Sequence, residues 1–357
     1  MVHLMVDDII QSCRSQFLAQ QYEREDAKLS VLDVCTGAGG EAIGLEAAGL
    51  VHEAVVEIDS AACQTLRLNR PSWRVIEGDI REVDGIDFRG IDLLAGGVPC
   101  PPFTIAGKQL GADDERDLFP EALRLIEQAK PAAVMLENVP GFASEKFTTY
   151  RGGLIQRLNG LGYQVAWRVL NSSDYGVPQL RPRFILVALR DPFFDNFSWP
   201  VSIKTSVTVG QVLHDLMASR GWQGADQWSR KANGVAPTLV GGSKKHGGPD
   251  LGPTRARMQW ETLGVDGKGI ADAPPDDDFP INGLPRLTLR MTARIQAFPD
   301  NWIFSGGKTA AYRQIGNAFP PPVSEAVGKA ILSALCGQKQ TNQERKPPVF
   351  QPLLLQP

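Results

Sequence analysis

An apolar run, Val31 to Cys35, passes directly into the turn Gly37-Ala38-Gly39-Gly40, then into a helix-patterned segment, Glu41 to Ala48, closed by Gly49. No other feature constrains the fold as strongly. Glycines let the backbone turn tightly and come close to a ligand where a Cβ would stand in the way. A strand, a glycine turn and a capped helix in that order open an α/β sheet. The alternation continues downstream. Strands are predicted over Glu53 to Ile58, Arg74 to Ile76, Ile91 to Ala95, Ala132 to Leu136, Gln164 to Leu170 and Phe184 to Leu189. Helices are predicted over Ser60 to Leu68, Leu118 to Ala129 and Leu154 to Leu161. The expected fold class is α/β: a doubly wound, mostly parallel sheet with helices on both faces.

The pattern changes after Leu189. From Asp191 to Pro285 there is little helical periodicity and much Gly, Pro and polar sequence, which predicts a smaller, irregular, β-rich domain. Regular structure returns with helices at Thr292 to Ala297 and Pro322 to Leu335. The expected organisation is an N-terminal extension at 1–28, a main domain built from 29–190 and 286–337, the insert at 191–285, and a polar, Pro-rich, disordered tail at 338–357. With 357 residues, 43% of them hydrophobic, the chain is long enough to bury a core of this kind.

Several function classes recede. The five cysteines (Cys13, Cys35, Cys63, Cys100, Cys336) are odd in number and widely spaced, without a Cys-x-x-Cys pair. That argues against a disulfide framework or a zinc site, and the four scattered histidines add no metal pattern. No apolar run approaches the roughly 18 residues of a membrane helix. Asp7 and Asp8 interrupt any secretory leader, so a cytoplasmic protein is expected. The net charge of −3 does not announce nucleic acid. Charge is local, however: between Ser229 and Arg257 stand Arg230, Lys231, Lys244, Lys245, Arg255 and Arg257 against Asp250 alone.

The glycine turn after the first strand, with Asp33 and Cys35 leading into Gly37, Gly39 and Gly40, suits a nucleotide site. Glu57, beside Ile58, ends the next strand and is placed to accept from ribose hydroxyls. Asp79, beside Ile80, follows the third strand and is placed to accept from an adenine amine. This set fits any adenosine-containing cofactor; nicotinamide dinucleotides and S-adenosylmethionine both remain open.

A second constellation lies on the same strand ends. Gly96-Gly97-Val98-Pro99-Cys100-Pro101-Pro102 follows a strand, and prolines on both sides stiffen a loop that presents one thiol, as a nucleophile requires. Glu137 ends another strand in Glu137-Asn138-Val139-Pro140. Gln179, Arg181 and Arg183 alternate, which would put their side chains on one face, and two arginines there suit an anionic or strongly polar ligand.

Taken in order with Gln314-Ile315-Gly316-Asn317-Ala318, these blocks resemble the DNA cytosine-5 methyltransferase family, over roughly 30–190 and 286–330. The resemblance implies an S-adenosylmethionine-dependent methyltransferase fold, with Pro99 and Asn317 joining the cofactor site. It implies that Cys100 attacks carbon 6 of a cytosine flipped out of double-stranded DNA, with Glu137, Arg181 and Arg183 around the base. The segment Thr104 to Leu118, with Lys108 and Arg116, would close on the DNA. The insert would be the target-recognition domain, touching DNA through Lys244, Lys245, Arg255 and Arg257. A monomer marking host DNA beside a cognate restriction endonuclease is the implied setting; an orphan regulatory methylase or a tRNA cytosine-5 methyltransferase is the alternative. A dinucleotide-dependent oxidoreductase would explain the glycine turn and Glu57 but leave Cys100, Glu137 and both arginines unused. A catalytically inactive DNA-binding subunit would waste the same residues. The chain departs from the family pattern at Pro101, where Gln is usual, at Cys35, where Phe is common, and at Met291, where an acid is common.

Overall fold

The computed structural model describes residues 28–99, 117–203, 206–242 and 248–338. Cys100, Lys108, Arg116, Lys244 and Lys245, all but the last two residues of the segment 104–118 and nearly all of both terminal extensions lie outside the described residues.

Seven strands form one sheet: β1 (Ser30–Val34), β2 (Val51–Glu57), β3 (Val75–Glu77), β4 (Leu93–Gly96), β5 (Ala133–Asn138), β6 (Tyr163–Asn171) and β7 (Pro182–Arg190). Their order is β3-β2-β1-β4-β5-β7-β6. The pairs from β3 to β5 are parallel; β7 runs antiparallel to both β5 and β6. This arrangement sets the site. The carboxyl ends of β1, β2, β4 and β5 share one edge, and antiparallel β7 brings its first residues to that same edge.

The helices are α1 (Gly40–Ala48), α2 (Ser60–Asn69), α3 (Phe119–Ala129), α4 (Thr148–Gly160), α5 (Val209–Ala218), α6 (Ala225–Lys231), α7 (Thr254–Thr262), α8 (Leu289–Ile295), α9 (Lys308–Asn317) and α10 (Pro321–Leu335). Local chemistry fixes their ends. Asp59 caps α2 by accepting from the Ala61 and Ala62 N–H groups, and Gly49, at φ 106°, ends α1 in the left-handed conformation that glycine tolerates. Prolines open α10, where their missing N–H costs nothing.

Both faces of the sheet are covered, because alternate residues of a strand point to opposite sides. Leu32 and Val34 of β1 join a core with Ala122, Leu125 and Ile126 of α3 and Leu154 and Leu158 of α4. Val31 joins the opposite core with Leu45 of α1 and Val323, Val327 and Ile331 of α10. Each fully buried aliphatic side chain here contributes about 1.5–3 kcal/mol.

The region 191–285 corrects one expectation. Its described residues form three helices, α5, α6 and α7, and no strand; β pairing is confined to isolated bridges such as Arg220 with Asp276. Helix α5 buries Val209, Val212, Leu213 and Met217, a helical spacing, and begins with a capping box between Thr208 and Gln211. Dense Gly and Pro on either side hid that stripe. The core of this region also runs past residue 285, taking in Leu287, Met291, Ile295 and Tyr312.

Candidate active site

A cavity of about 700 Å³ opens at the shared edge of β1, β2, β4 and β5. Cys35, Gly37, Glu57, Ile58, Asp79, Ile80, Pro99, Glu137 and Asn317, all singled out in the sequence, line it together. Glu57 ends β2, and its carboxylate accepts the Gly37 and Asp59 N–H groups, each at 2.7 Å. Those bonds fix the glycine turn against β2 and hold the carboxylate at the cavity wall. Ile58, 67% exposed, offers an apolar platform beside it. Asp79 caps a short 3-10 turn through the Arg81 N–H and pairs with the Arg81 guanidinium at 2.8 Å. Cys35 adopts φ 55°, an uncommon conformation for a residue with a side chain.

Other predicted residues sit elsewhere. Asp33 lies beneath the wall, fully buried, accepting from the Thr36 hydroxyl at 2.9 Å. Burial, with the nearby Glu57 charge adding, pushes its carboxyl up to about 7, against the pull of Thr36. Gly39 and Gly40 do not line the cavity but serve close packing. A Cβ on Gly40 would stand 2.3 Å from the Phe319 carbonyl oxygen, and one on Gly39 would meet Leu66 and Trp302.

The second constellation meets the first. Glu137, at the end of β5, pairs with Arg183 Nε at 2.7 Å. Its Oε2 comes within 3.3 Å of where a Gly97 Cβ would be, so glycine there makes room for the carboxyl. Burial raises the Glu137 carboxyl above the ordinary range; Arg183 and Arg181 pull the other way and do not cancel it. Gln179, Arg181 and Arg183 are all buried, but only Arg183 reaches Glu137. Gln179 precedes β7 and accepts the Leu239 N–H, while Arg181 donates to the carbonyls of Leu239 and Gly316. Arg181 is therefore a buried tie between chain segments.

Further residues line or shape the site without a sequence signal of their own. Thr36, Ala38, Glu41, Asp59, Arg313 and Phe319 line the cavity. Asn138 donates to the Val98 carbonyl at 2.7 Å, anchoring the stem that leads to Cys100. The Leu118 N–H donates to the Pro99 carbonyl, so Pro99 and Leu118 meet at the cavity wall. In the region 191–285, Arg255 is exposed and Arg257 half-buried on α7. Among the described residues no group of His, Cys, Asp or Glu is placed to hold a metal ion, and no helix is long and apolar enough to cross a membrane.

Comparisons with known proteins identify the family. The model of the C-5 cytosine-specific DNA methylase family matches residues 29–333. The chain is 56% identical over 311 residues to the Type II methyltransferase M.NaeI of Lentzea aerocolonigenes, covering 86% of this chain and 75% of that protein. It is 53% identical over 307 residues to the Type II methyltransferase M.NgoMIV of Neisseria gonorrhoeae, covering 85% and 97%. Among solved structures, the Entamoeba histolytica methyltransferase EhMeth shares the fold with a TM-score of 0.62 at 16% identity, covering 87% of this chain and 99% of that one. The chain belongs to the C-5 cytosine-specific DNA methylase family and is an enzyme that methylates DNA cytosine at carbon 5.

Proposed function

We propose that this methyltransferase flips a cytosine out of duplex DNA, bonds Cys100 to carbon 6 and places a methyl group from S-adenosylmethionine on carbon 5. One observation carries the reading: Glu137, half-buried and paired with Arg183, opens on the same cavity as Glu57, Asp79 and Pro99, the residue before Cys100. Base chemistry and nucleoside binding therefore share one chamber. About 700 Å³ suits a ligand of nucleoside-plus-amino-acid size.

Gly37, Glu57, Ile58, Asp79 and Ile80 would hold the nucleoside end of S-adenosylmethionine, and Cys35, Pro99 and Asn317 the rest. S-adenosylmethionine supplies a methyl group made electrophilic by its sulfonium. The protein supplies the nucleophile and the proton. Addition of the Cys100 thiolate to carbon 6 pushes an electron pair through the ring and makes carbon 5 nucleophilic. Glu137, holding a proton, donates to ring nitrogen 3 and stabilises the charge that develops there. As carbon 5 gains the methyl the ring pair returns from nitrogen 3 and the nitrogen 3 proton goes back to Glu137; a base then takes the carbon 5 proton, and that bond's pair forms the carbon 5–carbon 6 double bond as Cys100 departs as thiolate. Arg183 keeps the Glu137 carboxyl oriented.

The region 191–285 is proposed as the target-recognition domain. Arg255 and Arg257, with Lys244 and Lys245, would meet phosphates. Both relatives carry Type II methyltransferase names, which supports a role in protecting host DNA from a cognate endonuclease; a cytoplasmic, monomeric enzyme is proposed with it. The test is transfer of labelled methyl to duplex DNA, with bisulfite sequencing to locate it. Cys100→Ser should abolish transfer and keep S-adenosylmethionine binding. Substantial activity in that variant, or transfer to tRNA and not DNA, would sink the reading.

A further inference from the structure

Glu41 is a cavity residue that the proposed chemistry leaves idle. It stands in the first turn of α1, lines the cavity and is only 4% exposed. The Gly96 N–H donates to its carboxyl, but Oε1 has no hydrogen-bond partner among the described residues. Among the described residues no cation is paired with it either. Arg183 pairs with Glu137, Arg81 with Asp79, and Arg313 lies 4.0 Å from Asp59. Its charged neighbours within electrostatic reach are acids: Asp33 at the end of β1 and Glu137 at the end of β5. A buried carboxyl with an unanswered oxygen is costly unless a ligand completes it.

Position indicates which part of a ligand that is. Glu57, Ile58, Asp79 and Ile80 occupy the end of the cavity formed by β2 and β3. Glu41 lines the cavity from the first turn of α1, where its carboxyl accepts the N–H of Gly96 at the end of β4, the strand whose continuation leads to Cys100. A methyl group bound for the base must be presented at that end, and the sulfonium is one bond from its methyl. We infer that Glu41 is a specificity-determining residue that favours a sulfonium-bearing ligand over its uncharged thioether product. The inference rests on the proposed use of S-adenosylmethionine.

The state of the carboxyl supplies the switch. Burial, with the Asp33 and Glu137 charges adding, raises Glu41 well above the ordinary carboxylate range, so the empty site favours a proton there. The Gly96 N–H and the N-terminal dipole of α1 favour the ionised form, so an incoming cation can displace that proton. The free amino group is common to both ligands and cancels in their comparison. A thioether gives the proton no reason to leave.

The test is isothermal titration of the full chain, without DNA, by S-adenosylmethionine and by S-adenosylhomocysteine. It is run at about pH 6 and pH 8.5 in two buffers of different ionisation enthalpy. Expected are more protons released by the sulfonium ligand, a preference for it that grows with pH, and a loss of about tenfold of that preference in Glu41→Gln, as for one pKa unit of coupling. Asp33→Asn should keep the difference in proton release. Equal proton release by both ligands in the wild type overturns the inference without any variant. So does a wild-type preference in Glu41→Gln, or a difference that disappears with Asp33→Asn instead. If neither ligand binds the wild type, the cofactor reading fails and the inference with it.

Discussion

Asp33 is packed where an ionised carboxylate has little to answer it. Its Oδ2 has no hydrogen-bond partner among the described residues. His52 Nε2 is 4.0 Å away, but burial holds that imidazole down to about 4, so it is uncharged at neutral pH and the contact is no ion pair. Because Asp33 is raised from 3.8 to about 7 by burial, the native state binds its proton more tightly than the unfolded chain does. The stability this contributes is full below about pH 4 and is lost as pH rises to about 7. Asp33→Asn keeps an acceptor for Thr36 and cannot ionise. Its stability relative to wild type should therefore rise between about pH 4 and pH 7, by a few kcal/mol at most, and level off above. Denaturant melts across that range check it; a constant difference would show that Asp33 ionises freely in the fold. His52 works with the opposite sign, costing the wild type stability below its unfolded value near 6.5.

At the scale of elements, the pairing of α1 with α10 depends on two glycines. A Cβ on Gly44 would lie 2.3 Å from the Pro321 carbonyl oxygen and 2.6 Å from Ser324 Cβ, and one on Gly328 would reach Ala48 Cβ at 3.0 Å. In an isolated helix Gly→Ala gains about 1 kcal/mol. Here the backbone contact reverses the sign, because the helices must part and the core of Val31, Leu45 and Val327 opens with them. Gly44→Ala should lower stability by about 1–3 kcal/mol, read as a fall in Tm. An unchanged or raised Tm would mean that the two helices separate freely.

The same scale shows what a sequence can reveal. The elements between Val31 and Leu189 were legible because strand runs, glycine turns and capped helices recur at short range. Helices α5, α6 and α7 were not, because their apolar stripes are short and set among Gly and Pro. Helix α9 carried the Gln314–Ala318 block but no strong periodicity of its own. In the site, Glu57, Asp79 and Glu137 were legible as acids at strand ends. Glu41 and Asn138 were not, since their partners, the Gly96 N–H and the Val98 carbonyl, come from β4 and the residues after it, far away in the chain. Met291, an apolar residue where an acid is common, proved compatible with the helix start. It occupies the third position of α8, where its thioether sulfur accepts the Thr288 N–H at 3.4 Å while its body fills the core.

In the whole molecule, the sheet block and the region 191–285 are joined by buried polar ties as well as by apolar packing. Gln179 accepts the Leu239 N–H and donates to Gln296. Arg294, 1% exposed, donates to the Val212 carbonyl and pairs with Asp215 on one side and Asp300 on the other. Arg181, equally buried, spans the Leu239 carbonyl at 2.6 Å and the Gly316 carbonyl at 2.8 Å, one in each block. Arg181→Met keeps most of the volume and leaves two buried carbonyls without that donor, each costing about 1–3 kcal/mol. Arg181→Lys can satisfy one of them. The expected order of Tm is wild type, then Lys, then Met. DNA retention should fall more than S-adenosylmethionine binding, because the Leu239 segment leads to Gly241 and the basic loop while Glu57 and Asp79 are untouched. Equal Tm for Met and wild type would show that apolar packing alone holds the blocks together. Equal losses of DNA and cofactor binding would place the effect of Arg181 in the cavity itself, through its charge on Glu137.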